Sequence, residues 1–575
     1  MKEIPSIHTD VVSFDLFDDI IIRPFVKPID FFNYMEEIYR TTGFVSARIN
    51  AEKRVRSDCT RGISLDDIYS YLPQYLEMKN KECSTELKLA IPNTTVIDLI
   101  KKLKNEGKKI VLISDSYLPS EVISSMMKKV GVEYDRIYIS SEKDLPKNKK
   151  DLFKYALEDM SLDPTNLTHV GVGKRSGHKV LWKMGIHLIT IRKPITDYLK
   201  KNLCERSYYK KKKTLSSSII VAMNCISDAE MNKEYSIWEE IGFKFGGPLI
   251  YSFVKFIHSH VDRKSKLFFT ARDGYSLIKE YEMLFPGENE CYYVNLQRII
   301  FNCLCDNKLL TNEDVVLPNK IRHVISYRRT VLRIRSILSF FSNDLGIDSI
   351  PIDVKELLHL YNERKSDIQL CRDSENYILS EKYKMFSAGG DVNLIDCNTM
   401  NYTSQRLLEF FIERKVHGIY LHSLKKSSCS YDAMCRQGRG LIHWFKVNIS
   451  EFLLCSNELP LKGMCGGSPI FLTGPKSEKD RAAHYEEILR GIDRYCNDMK
   501  KIFGDMMPDF DYDSVIEWAS FVKKHGTKYR KVVSEIKWAS DYNHNNWKSI
   551  LPLKQPIKSI KGLIDSVLGH LFPEK

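Results

Sequence analysis

Three side chains stand where short apolar runs give way to polar loops: Asp15 after VVSF, Ser114 closing KIVLIS, and Lys147 in PKNKKDLF, just ahead of a helical stretch. A carboxylate, a hydroxyl and an ammonium at neighbouring loop ends suit phosphoryl transfer: the carboxylate attacks phosphorus while the other two stabilise the equatorial oxygens. The segment GVGKRSG (171–177) adds backbone amides, Lys174 and Arg175, which read either as a metal-free phosphate cradle or as a solvated turn. A second constellation lies in FFTARDGYSL (268–277), where Arg272, Asp273 and Gly274 fall at an expected strand-to-helix junction. There Arg272 and the helix amides suit an anionic ligand, with Asp273 as acid, base or helix cap. LIDCNTMNYTSQRLLEFF repeats the arrangement, with Asp396 closing a strand and a helix from about Thr403.

These residues need a scaffold that brings strand ends together. VVSFDL (11–16), KIVLIS (109–114), RIYIS (136–140), LTHVGV (167–172) and HLITI (187–191) read as strands, because each is short and rich in Val and Ile. Between them, TTVIDLIKKLKNEG stops at Gly107, and PSEVISSMMKKVG opens at Pro119 and stops at Gly131, which are ordinary helix start and stop signals. Alternating strands and helices predict an α/β fold with a parallel sheet covered on both faces. One interval of about 80 residues after the first strand is helical and charged, too long for a crossover. It is expected to be a cap over the carboxyl edge, where open α/β sheets bind ligands.

After a polar, basic stretch (YYKKKKTLSSS), a second α/β pattern follows: helical LIYSFVKFIHSHV, then strands KLFFTA, CYYVNL, VNLID and GIYLHS. Beyond about residue 475 the chain reads as helical. The expected organisation is a domain over 1–200 with its cap at about 24–95, a basic linker over 201–235, a second α/β domain over 236–475 and a helical region over 476–575.

Residues 10–195 resemble the haloacid dehalogenase (HAD) superfamily. FDLFDD is similar to the first motif with Asp15 as nucleophile, ISDSYLP to the second with Ser114, PKNKKDLF to the third with Lys147, and GVGKRSG stands in place of the fourth. The resemblance implies a Rossmann-like sheet with a helical cap, an aspartyl intermediate at Asp15 and a magnesium ion. Several positions depart from it. Phe17 replaces the acid that protonates the leaving oxygen in the family's phosphatases, and Asp19 replaces a Thr. Val172 and Gly177 align where acids hold magnesium, which leaves Asp15 alone, a poor site for a hard cation. Asp18, Asp19 and Asp115 are the nearby carboxylates able to compensate. His169 is expected to serve the core and His178 to be exposed. With Thr270–Gly274, Asp396, Ser404 and Gln405, the likeness extends over about residues 10–500 to larger two-domain bacterial proteins found with surface polysaccharide genes. That likeness implies a glycan-related context; together with the departures at Phe17, Val172 and Gly177, the expectation is a degenerate phosphatase site that binds or processes a phosphorylated sugar or anionic glycan in capsule or O-chain assembly. The alternatives are a non-enzymatic scaffold and a sugar-transferring enzyme acting through the C-terminal half.

Composition is consistent with a folded, cytoplasmic protein: 43% hydrophobic and 28% charged residues, without a signal-like N-terminus or a run long enough to span a membrane. The 14 Cys are scattered and suggest neither disulfides nor zinc. A net charge of +13 fits an anionic partner, but no zinc finger, aromatic RNA-binding motif or basic heptad array is present, so nucleic acid is not expected. The closing IKSIKGLIDSVLGHLF has Lys on one side and apolar residues on the other. It suits packing on its own domain or peripheral contact with the inner membrane.

Overall fold

The computed structural model describes residues 6–142, 149–172, 175–229, 235–305, 321–399, 401–436, 449–454, 456–472, 476–523, 528–539 and 547–549. The chain divides into two compact units, Met1–Tyr235 with Asp498–Phe510, and Ser236–Asn497 with Asp511–Lys575.

The first unit is built on a five-stranded sheet formed by β1 (Val11–Phe14), β4 (Lys109–Ser114), β5 (Arg136–Ile139), β6 (Leu167–Gly171) and β7 (His187–Thr190); β2 (Ile21–Ile22) and β3 (Ile91–Pro92) form a separate antiparallel pair. The sheet order is β5-β4-β1-β6-β7, with every neighbouring pair parallel. All four residues of β1 are buried, as expected for a central parallel strand covered on both faces. On one face Val11, Val111 and Ile113 pack with Leu152, Phe153 and Leu181 from the covering helices. Helix Thr94–Asn105 buries Val96, Ile97, Ile100 and Leu103, one stripe of a 3.6-residue period, and Gly107 follows it in the left-handed region. Helix Ser120–Val130 ends at Gly131 in the same way.

Between β2 and β3 lie the cap helices Ile29–Ile38, Phe44–Asp58, Leu65–Ser70 and Met78–Lys88. Ser64 and Asp67 form a capping box at the start of the third. Inside the cap, Arg48 and Glu82 are both fully buried and paired bidentately at 2.8 and 2.9 Å, and the Tyr69 hydroxyl donates to Glu82 at 2.8 Å.

A unit boundary falls at the end of the basic linker or boundary region expected over 201–235, between Tyr235 and Ser236, but the region is not an unstructured linker. Helices Leu203–Lys212 and Leu215–Ala229 occupy it, and twelve residues of the second, from Ser216 to Ser227, are buried. The lysine run is the last turn of the first of these helices, where cations oppose the helix dipole.

The second unit has its own sheet: β8 (Lys266–Thr270), β9 (Glu290–Val294), β10 (Val392–Thr399), β11 (His417–Ser423) and β12 (Tyr431–Arg436), ordered β12-β11-β10-β8-β9 and parallel throughout. Helices Ile321–Phe340, Val354–Glu363 and Lys365–Ser387 are inserted between β9 and β10. The C-terminal region is helical over Lys476–Phe503, Tyr512–Ser520 and Lys528–Glu535. An antiparallel pair, Lys537–Ala539 with Trp547–Ser549, follows these helices and was not foreseen. The closing amphipathic segment lies outside the described residues. Among the described residues, no helix is long and apolar enough to cross a membrane.

Candidate functional site

In the first unit the chain winds one way from β1 through β4 to β5 and then crosses back to β6 and β7. The connections therefore diverge between β1 and β6, leaving a crevice over their carboxyl ends. Asp15 follows β1 at this point. Ser114 ends the adjacent β4, and its hydroxyl donates to Asp15 Oδ1 at 2.8 Å, while the Leu16 amide donates to the same oxygen at 2.8 Å. Two of the three residues expected to act on phosphorus are thus in contact. Lys147 and Lys174 lie outside the described residues. Arg175 opens helix Arg175–Lys183, which also contains Gly177, so the expected tight turn gives way to helix by that point. The side chains of Arg175 and His178 lie outside the described residues.

The carboxylates near Asp15 are held elsewhere. Asp18, with φ of 68°, pairs with Lys193 at 2.7 Å; Asp19 is buried and accepts from the Val172 amide at 2.8 Å; Asp115 accepts from Ser140 at 2.7 Å. A Cβ on Gly171 would lie 3.0 Å from Asp19 Oδ2, so Asp19 fills the ground beside the fourth-motif position. Among the described residues no group of three His, Cys, Asp or Glu side chains could hold a metal ion. With Asp18, Asp19 and Asp115 engaged by other partners, the described residues offer the ion that the resemblance implies a single carboxylate, Asp15, which makes a weak site. His169 is buried, bonded through Nδ1 to Ser13 at 3.0 Å and edge-on to Phe153, a core position rather than a ligand.

Phe17 carries no proton to give, and the Arg23 guanidinium lies 4.1 Å from its ring centroid. Burial opposes the charge on Arg23, but a bidentate pair with Glu86 (2.6 and 2.8 Å) more than restores it, and its pKa lies above the ordinary value. At the position where the resemblance expects an acid, the chain puts an aromatic ring beside a permanent cation.

The second unit also has a switch point, between β8 and β10. Arg272, Asp273 and Gly274 follow β8. Asp273 takes the N-cap position of helix Gly274–Leu284 without a side-chain capping bond, which corrects the capping alternative. Gly274 is needed there because a Cβ would come 2.9 Å from the Phe269 backbone. Asp396 lies in β10 just past Ile395, the last residue paired with β8, where β10 runs on beside β11 alone. Its Oδ1 accepts from the Cys397 amide at 2.8 Å. Burial pushes this carboxyl up to about 6, against hydrogen bonds from Thr270, Cys397 and Ser404 and the charge of Arg298.

Sequence reasoning missed the residues around Asp396. Glu451 accepts from Asn398 at 3.1 Å, and Asn398 contacts His422 Nδ1 at 2.6 Å, whose Nε2 meets the Tyr512 hydroxyl at 2.7 Å. Burial, with the Asp396 charge adding to it, pushes the Glu451 carboxyl up to about 7, against Asn398, Arg272 and Arg298. The Arg272 guanidinium donates to the Glu458 carbonyl at 3.4 Å. The alternation of Asp396 and Asn398 along one face of β10 was the available signal; Glu451 and Arg298 come from distant segments and carried none.

Both raised carboxyls bind their protons more tightly folded than unfolded. Their contribution to stability is therefore present below the ordinary carboxyl range near pH 4 and is lost as pH rises through about 6 and about 7. Thermal unfolding followed from pH 4 to 8 is expected to show a shallower decline in Glu451→Gln and Asp396→Asn than in the wild type. Identical slopes would refute the assignment.

No protein-family model and no curated protein matches the chain. Among solved structures, an L-2-haloacid dehalogenase is 13% identical over 32% of this chain and 86% of its own, with a TM-score of 0.26. A HAD family enzyme from Bacteroides thetaiotaomicron is 16% identical over 32% of this chain and 94% of its own, with a TM-score of 0.26, and a HAD-superfamily hydrolase from Ehrlichia chaffeensis is 15% identical over 32% and 87%, with a TM-score of 0.20. What the chain is similar to is therefore a set of HAD-superfamily hydrolases, over about its N-terminal third, at levels that carry no conclusion about activity.

Proposed function

We propose that the first unit binds a phosphorylated sugar by its phosphoryl group at Asp15 and Ser114, with Lys147 as the expected cation, and turns it over slowly or not at all. The supporting observation is the 2.8 Å contact between Ser114 and Asp15 at the carboxyl edge, with Phe17 and the engaged Asp18, Asp19 and Asp115 in place of an acid and a metal site. A nucleophile without a proton donor and without metal neutralisation lacks two contributions, each worth orders of magnitude in rate. The resemblance in sequence motifs supports assembly of a bacterial surface polysaccharide as the setting, and the alternatives are a non-enzymatic interaction scaffold and a sugar-transferring enzyme acting through the C-terminal half. Phosphate release from a panel of sugar phosphates with magnesium, compared with Asp15→Asn, tests the reading. Release at or near the Asp15→Asn level is expected; robust Asp15-dependent turnover would overturn it.

A further inference from the structure

We propose that the crevice over the carboxyl ends of β8 and β10 is a second binding site, in the second unit, for a phosphate-bearing polyhydroxyl ligand. Arg272 and Arg298 would take the phosphate, and Asp396 and Glu451 would bond ligand hydroxyls. The inference goes beyond the reading of Asp15 and does not depend on it.

The strand order is the first support. The pairing of β10 with β8 ends at Ile395 opposite Phe269, and β10 continues to Thr399 with β11 as its partner, so beyond Ile395 β8 no longer pairs with it. Parallel sheets bind ligands at such a place. The chemistry of the lining is the second. Arg272 and Arg298 both act on the Glu451 carboxyl, and Arg298 acts on Asp396 as well. Arginine is suited to phosphate because its planar fork matches the oxygens. The carboxyls repel phosphate, and so they must serve another part of the ligand; hydroxyls, which both donate and accept, fit them in either protonation state. Titration near neutrality lets each of the two carboxyls act as donor or acceptor at physiological pH. The third support is an acceptor without a donor. On the loop leaving β9, beside Arg298, the shielded Gln297 Oε1 has no hydrogen-bond partner among the described residues, while its amide donates to Asn295 at 3.2 Å. A buried acceptor left unpaired is costly, and a ligand hydroxyl would satisfy it.

The chain Glu451–Asn398–His422–Tyr512 holds the carboxyl in place from behind. We assign Asn398 and His422 as positioning residues, because Asn398 donates to Glu451 and His422 in turn contacts Asn398.

The test is calorimetric titration of the full-length protein with glucose 1-phosphate. Arg298 is exposed, so Arg298→Ala should leave the fold intact, as thermal unfolding can verify. Arg298→Ala and Arg272→Ala are each expected to weaken one binding step about tenfold or more. Ser114→Ala should leave that step as in wild type, which separates it from binding at Asp15. Asn398→Ala, acting through Glu451, is expected to change the number of protons exchanged on binding, read from titrations in buffers of different ionisation heat. The proposal is overturned if the wild-type protein does not bind glucose 1-phosphate, or if both arginine variants, folded as wild type, bind it unchanged.

Discussion

Replacing Glu82 with alanine is expected to destabilise the cap by about 3–5 kcal/mol, because it would strand the fully buried Arg48 guanidinium without its bidentate partner. Arg48 sits over the rings of Phe32 and Tyr117, at 4.7 and 4.9 Å from their centroids, and neither ring replaces the lost carboxylate. Its other partner, Glu52, is bound by Arg56 as well and is partly exposed, and a single shared carboxylate does not compensate. Removing both charges together, as in Arg48→Met with Glu82→Leu, should cost much less, because neither ion is then left unpaired. Thermal unfolding of the two variants beside the wild type distinguishes the cases. If Glu82→Ala costs no more than the double replacement, the pair is not buried as described. The consequence for function is direct, since the Leu65 amide, at the start of a cap helix, donates to the Tyr117 carbonyl on the loop that follows Ser114. Loosening the cap should also weaken whatever binds at Asp15.

Gly491→Ala and Gly242→Ala are expected to be equally severe, about 3 kcal/mol or more each, for the opposite reason: too much volume instead of too little pairing. A Cβ on Gly242 would fall 1.9 Å from the Ile488 carbonyl oxygen, and one on Gly491 would fall 2.0 Å from that of Glu239. Segments 237–259 and 476–497 therefore cross backbone to backbone. Gly246 and Gly247 extend the contact against Ile492 and Tyr495. Backbone carbonyls cannot swing aside as a side-chain end can, so the helices would have to separate. Loss of the second unit's unfolding transition, or a large fall in its midpoint, is the expected result. Near-wild-type melting of both variants would contradict the crossing. The same comparison with Gly107→Ala, where a Cβ meets nothing within 4 Å but φ is +77°, should cost only about 1 kcal/mol.

The strands were legible because each central one is a short, β-branched run bounded by turn residues, and their starts and ends fell within one to three residues of those observed. β10 runs three residues past its expected end, through the polar Cys397, Asn398 and Thr399, because β11 continues to pair with it there. β12 was missed. YDAMCR has no alternation to betray it, and as an edge strand it is fixed only by its parallel neighbour. The hairpin Leu461–Cys465 with Ser468–Phe471 was also missed, although Gly466 and Gly467, both at positive φ, are an ordinary hairpin signal. Reading 201–235 as a linker gave weight to the lysines and overlooked IIVAMNCI, the apolar run that the following helix buries.

The same contrast holds at the sites. Asp15 and Ser114 could be paired from sequence because each ends a strand, and parallel neighbours bring such ends together. The fate of Asp19 could not be read, since its turn towards the Val172 amide depends on a contact across 153 residues of chain. Arg298 and Glu451 were invisible for the same reason: nothing local marks a charge whose neighbours arrive from other strands.

The central claim, a phosphoryl-binding site at Asp15 and Ser114 that has lost its metal-dependent chemistry, is tested most directly by titrating inorganic phosphate into the Arg272→Ala, Arg298→Ala double variant, with and without magnesium. Binding that Ser114→Ala weakens by about tenfold and that magnesium leaves unchanged is expected. Phosphate affinity that rises steeply with magnesium, or no difference between Ser114→Ala and its parent, would contradict it.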